Sequence, residues 1–201
     1  MKIEGKVGRQ KLSSGAIGNL RLDTDGALIV KNASGNLAEA ALAGRLFTGT
    51  NAALVNTSTT LNTTFVGLAL TNPTGSGKLL IVHKFFYAQD IVTTAEAMLC
   101  LATTTDSGMT AAEMTIYCSR YGYATSVATV RDGGTIVAPV ILLPIAGIGD
   151  TATTGWTQQP SIVNLDGSII LAPGRCLCTD TTVAVGASAM RFGYVWEEVD
   201  A

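Results

Sequence analysis

Only a few residues in this chain have the type and spacing to do chemistry. His83 is the single histidine, so any Ser-His-Asp or Cys-His arrangement would have to use it as the base. It sits inside Lys78–Tyr87, an apolar run with strand character, where a packed or interface histidine is the expected role. Asn72-Pro73-Thr74-Gly75-Ser76-Gly77-Lys78-Leu79 looks like a phosphate-binding loop at first glance. That loop needs Gly where Asn72 stands and Ser or Thr where Leu79 stands. It also leads into a helix whose N-terminus meets the phosphates, whereas this stretch leads into a strand. Cys176 and Cys178, two apart, would share one face of a strand, but with Cys100 and Cys118 far away there is no recognisable zinc spacing. Buried free thiols are the expected state of all four. Glu197 and Glu198 would point to opposite faces of a strand, which is poor geometry for paired acid–base work. Asp23 and Asp25 precede Gly26 without the other ligands of a calcium loop, and read as a turn. The sequence therefore predicts no catalytic, cofactor-binding or metal-binding residues, and no enzyme.

The elements around these residues are strands. In Ala189–Glu197 every second residue from Met190 to Trp196 is large and apolar, the period of a strand with one buried face. Leu165–Gly174 supplies another strand with Gly-containing turns at both ends, and Arg175–Thr179 lies between these two. Further strands are expected at Thr64–Thr71, Lys78–Tyr87, Ala95–Thr103, Met114–Thr125 and Thr135–Leu143, with Gly147–Pro160 as a loop carrying Trp156. Strand candidates at short spacing without long helical patterns predict an all-β protein, an antiparallel β-sandwich of about eight core strands, jelly-roll-like. Residues 1–44 differ. They hold short apolar pieces, a hairpin at Leu20–Val30 turning on Asp25-Gly26, and an Ala-rich stretch from Leu37 to Leu46 that could form a short helix. The expected division is an extended N-terminal arm, residues 1–44, and a sandwich body, residues 45–201.

Composition narrows the partners. Of 201 residues, 47% are hydrophobic and 14% charged, with a net charge of −2. This excludes a disordered chain, and the mildly acidic balance argues against a nucleic-acid partner. A charged fraction well below the roughly 25% of ordinary soluble domains suggests a surface partly covered by other subunits. The longest apolar stretch, Thr135–Ile148, is interrupted by Pro139 and Pro144 and is too short to span a bilayer, so no membrane is expected. Met1–Lys6 lacks the apolar segment of a secretory signal, which predicts synthesis in a cytoplasm.

The C-terminal sequence Asn164–Gly174, closing at Val195-Trp196-Glu197-Glu198-Val199, and the start, Gly18–Val30 followed by Gly44-Arg45-Leu46-Phe47-Thr48, resemble tailed-bacteriophage virion proteins that decorate or cement the capsid. The resemblance implies a jelly-roll-like sandwich that binds the major capsid protein on the outer surface of the head, and it carries no catalytic residues. The expected partners are the major capsid protein and copies of this chain, as a trimer in preference to a dimer. The expected location is the virion surface after synthesis in the host cytoplasm. Two other readings stand beside it: a fibre-head, tail or receptor-binding β-protein, and a carbohydrate-binding module stacking sugars on Trp156, Tyr121 and Tyr123.

Overall fold

In a computed structural model of the chain, the described residues are 37–51, 67–89, 97–105, 113–132, 136, 139–148, 158–181 and 190–201. Residues 37–201 belong to one compact unit. The expected hairpin at Leu20–Val30 and Trp156 lie outside the described residues.

One short helix, α1 (Ala38–Leu42), precedes ten strands: β1 (Leu46–Thr50), β2 (Leu68–Asn72), β3 (Lys78–Gln89), β4 (Ala97–Thr105), β5 (Ile116–Cys118), β6 (Thr129–Asp132), β7 (Val140–Ile148), β8 (Gln158–Leu171), β9 (Arg175–Thr181) and β10 (Met190–Asp200). They form two five-stranded antiparallel sheets, ordered β5-β1-β10-β3-β8 and β6-β2-β9-β4-β7. The β-sandwich expected from the sequence is the fold. Its pairings are nested: β1 with β10, β2 with β9, β3 with β8, β4 with β7. The chain thus behaves as one long hairpin rolled into two layers, which is the jelly-roll arrangement. Strands β5 and β6 lie in the connection between β4 and β7, at the tip of that hairpin, and add one strand to each sheet.

The aromatic alternation of β10 fills the space between the layers. Met190, Phe192, Tyr194 and Trp196 are fully buried. Phe85 of β3 packs against Phe192 and Tyr194, and Phe47 of β1 against Trp196. Leu68, Leu70, Leu99, Leu101 and Leu177 of the second sheet close the same core. Two buried amides tie its ends. Asn51 donates to the Met190 carbonyl and accepts from the Phe192 N–H. Asn72 donates to the carbonyls of Lys78 and Leu171 and accepts from Ser76 Oγ.

Several boundaries depart from the sequence reading. Met114–Thr125 is a three-residue strand followed by a turn, because Gly122 takes a positive φ of 72° and the Tyr123 N–H bonds back to the Arg120 carbonyl. The strand expected at Thr135–Leu143 is displaced to Val140–Ile148. Ile136 instead packs with Ala69, Ala102, Cys176 and Cys178, the outward-facing small residues of the second sheet. Asp166-Gly167 does not start a strand. It forms a bulge inside β8, with φ of 46° and 78°, where the pairing with β3 skips from Lys84–Asn164 to Val82–Ile169. Strands β1 and β6 are additional to those read from the sequence. The Ala-rich stretch yields α1, and Leu46 begins β1.

Candidate interaction surface

The residues singled out for chemistry are taken up by the fold. Asn72–Leu79 is the β2–β3 turn, with Gly75 and Gly77 at positive φ and the Asn72 side chain turned inward to hold it closed. His83 occupies the bulge of β3 with its side chain largely covered, and its Nε2 lies 3.5 Å from Glu197 Oε2. That separation permits a charge interaction, but the geometry is not that of a hydrogen bond. The other oxygen of Glu197 meets Arg45 at 3.0 Å, so its carboxylate is engaged from both sides. Glu198 points the opposite way, as strand alternation requires. Its buried carboxylate accepts from Ser126 Oγ, the N–H groups of Val127 and Ala128, and Trp196 Nε1.

Cys176 and Cys178 do share a face, beneath Ile136. All four cysteines are free and buried. Burial raises the Cys178 thiol well above its usual range, with the neighbouring Cys176 and Asp180 adding to the effect. Burial also raises Cys100, again with help from Asp180. Such thiols are poor nucleophiles. Asp180 itself is buried; one oxygen accepts from the Thr181 N–H and the other has no hydrogen-bond partner among the described residues. Burial pushes its carboxyl up to about 6, against the lowering effect of the Thr181 N–H. Among the described residues, no group of three or more His, Cys, Asp or Glu is placed to hold a metal ion, and no helix is long and apolar enough to cross a membrane. The described side chains form no paired nucleophile and base.

What remains is surface. A Cβ on Gly49 of β1 would meet Val130 of β6, so the β1 side of the first sheet lies over the β6 side of the second. One flank of the sandwich therefore carries β5 and β6, and the opposite flank carries the edges β8 and β7. The β5–β6 flank is braced by its own loop. Its connecting loop is anchored on Glu198, the Tyr123 ring lies against Gly44, and the Arg120 guanidinium stacks 3.9 Å from the Tyr123 ring centre. Arg120 also donates to the Leu42 carbonyl. Tyr117, Tyr121 and Tyr123 on this flank are 52%, 89% and 56% exposed.

The opposite flank is open. Val140, Ile141, Leu142 and Leu143 of β7 are consecutive and 63%, 39%, 47% and 37% exposed. The strand is irregular here, its pairing with β4 skipping Leu142 and Ile145, so the aliphatic run does not alternate strictly between its two faces. Pro144 continues the exposed run, and in the other sheet Ile162 and Ile170 of β8 stand exposed on its outer face, opposite Phe86 and Ile81. Fully burying one such side chain is worth about 1.5–3 kcal/mol, so covering the strip would release several kcal/mol. Monomers seldom leave a run of this kind uncovered unless it meets a partner. The sequence reading caught the run's apolar character but placed it in a strand ending at Leu143. The signal that could have found it is the uncharged segment Val140–Ile148 with a central proline, the mark of an edge strand. Searches of protein-family models, of curated proteins and of solved structures find no match to this chain.

Proposed function

We propose that this protein is a structural component of a tailed-phage virion that decorates and cements the head by binding the major capsid protein, and that it acts as a homo-oligomer. The resemblance at the two ends of the chain motivates the phage assignment. The observation that carries the binding role is the open flank: a rigid sandwich whose candidate catalytic groups are engaged in its own packing, with an uncharged aliphatic strip in water. Cementing a shell needs contact area and stiffness, and no chemistry. A contact of standard size buries about 800 Å² per partner.

Purified protein added to undecorated heads tests the proposal. Saturable binding to the whole head surface, together with a higher melting temperature of the particle, is the expected result. Labelling confined to the tail or vertices would favour the fibre or receptor-binding reading. The exposure of Tyr121 gives the carbohydrate-binding reading one specific observation. Glycan-array binding that is lost in Tyr121→Ala, without binding to heads, would replace the proposal with it.

A further inference from the structure

We propose that the outer side of the second sheet is a pH-sensitive device: Asp180 is held there as the neutral acid beside the thiols of Cys100 and Cys178, and losing its proton loosens the packing over that side and uncovers the thiols. The inference stands apart from the decoration reading and makes no use of it.

In a two-layer sandwich the outer side of each sheet ordinarily carries polar residues into water. The middle of the second sheet does not. Strand β9 turns Leu177 into the core, so alternation sends Cys176, Cys178 and Asp180 outward, yet they are only 3%, 0% and 1% exposed. On β4, Cys100 stands opposite Asp180 and Ala102 opposite Cys178, and both are buried as well. Ile136 is the described side chain that packs on this side, against Ala69, Ala102, Cys176 and Cys178. That contact rests on small side chains, whereas the inner side is filled by leucines and aromatic rings. The outer packing is therefore the part of the second sheet that can yield while the core stays closed.

Among the described residues, no cation steadies Asp180. β4 brings the Cys100 thiol, β9 itself Cys176 and Cys178, and β2 reaches this side with Ala69 and Thr71. β7 sets Pro144 opposite Cys100 and has no titratable residue in Val140–Ile148. Arg131 of β6 shares the side, in register with Ala69, but its guanidinium meets Glu113 at 3.8 Å. With the Thr181 N–H as its one donor, an ionised Asp180 lacks most of the hydrogen bonds that water would give it. Burial accordingly raises its carboxyl from 3.8 to about 6, against the lowering effect of the Thr181 N–H. When the packing opens, water restores the ordinary value. Opening is thus hardest below about pH 4, eases as pH rises to about 6, and gains nothing further once both forms are ionised. A difference of two units corresponds to about a hundredfold in the opening equilibrium.

The test is maleimide labelling of the full chain from about pH 4 to about pH 8, read at each cysteine by peptide mass spectrometry, for wild type and Asp180→Asn. Cys118 is the internal control. It is buried at the β5–β6 flank beside the Gly44 carbonyl, and its labelling reports thiol chemistry and global unfolding alone. In wild type, labelling of Cys100 and Cys178 relative to Cys118 should rise about a hundredfold up to about pH 6 and then level off. In Asp180→Asn the same ratio should stay flat. If that variant does not fold, the wild-type ratio decides by itself. A flat ratio in wild type, an equal rise in Asp180→Asn, or thiols at Cys100 and Cys178 that resist labelling at every pH would overturn the proposal.

Discussion

The two flanks of the sandwich solve the same problem in opposite ways. Every open sheet ends in an edge whose backbone and apolar side chains need cover. On the β5–β6 flank the cover is internal. The loop after β5 folds over the corner and is held by one buried carboxylate, Glu198, which gathers four donors. On the β7–β8 flank the strip from Val140 to Leu143 stays in water. The contrast extends to the buried acids. Asp180 lies in register with Cys100, which in turn pairs with Pro144 of the open edge, and one Asp180 oxygen has no hydrogen-bond partner among the described residues. Where the sequence invested in polar satisfaction, the flank is finished within the chain. Where it placed aliphatic residues, the flank stays exposed.

The sharpest way to break this comparison is at Glu198. Glu198→Ala should strand its buried donors and cost about 3–5 kcal/mol, the range for removing one partner of a buried charged group. For a chain of this size that lowers Tm by roughly 10 °C. Glu198→Gln, which keeps an acceptor oxygen, should cost less than half as much. Thermal denaturation of both variants checks this, and equal melting of Glu198→Ala and wild type would mean that the closed flank does not depend on the carboxylate.

A smaller effect is expected at Asp180, and it depends on pH. The folded state raises this carboxyl from its ordinary 3.8 to about 6, so the folded protein holds the proton more tightly than the unfolded chain. The stability this provides is fully present below about 4 and is lost as pH rises through 6. Wild-type Tm should therefore fall across that window through this group. Asp180→Asn should flatten the fall and melt above wild type at pH 7–8. A wild-type profile unchanged by the substitution would show that the unpaired oxygen is satisfied.

The smallest effect belongs to the open flank. Val140→Ser should change the stability of the dilute protein by no more than about 0.5 kcal/mol, as for an exposed site, while Leu101→Ser in the core should cost at least about 2 kcal/mol. Chemical denaturation at low protein concentration separates the two. A large loss from Val140→Ser would make the strip part of the body's own core.

Legibility in the sequence followed the strength of the periodic signal. Met190, Phe192, Tyr194 and Trp196 announced β10 and its buried face, and Lys78–Tyr87 announced β3, because large apolar residues recur there in a pattern only a strand can use. Opposite faces for Glu197 and Glu198 followed from the same period. The turn at Arg120–Tyr123 was hidden because Tyr and Ile nearby are good strand residues, and Gly122 alone signals the break. β1 was missed because Leu46–Thr50 is short, with Gly49 and two threonines diluting its apolar pattern. Ile136 was assigned to a strand because burial on the outside of a sheet looks the same in sequence as burial within it. The open flank was the hardest to read, since an aliphatic run says only that it will be covered. Whether the cover comes from the same chain is decided by pairings between residues far apart in sequence.

The nested pairing of the strands also sets the order in which the molecule can come into being. β10 sits between β1 and β3 in the first sheet, and Thr48 Oγ1 donates to the Tyr194 carbonyl across a separation of 146 residues. During synthesis, β1 and β3 leave the ribosome long before the strand that joins them, so neither can complete its sheet until Met190–Asp200 has been made. Contacts of such long range fold slowly and leave apolar strands waiting. Premature termination ahead of Met190 would remove the middle of the sheet and not a dispensable tail, so a truncated copy could not complete the sandwich.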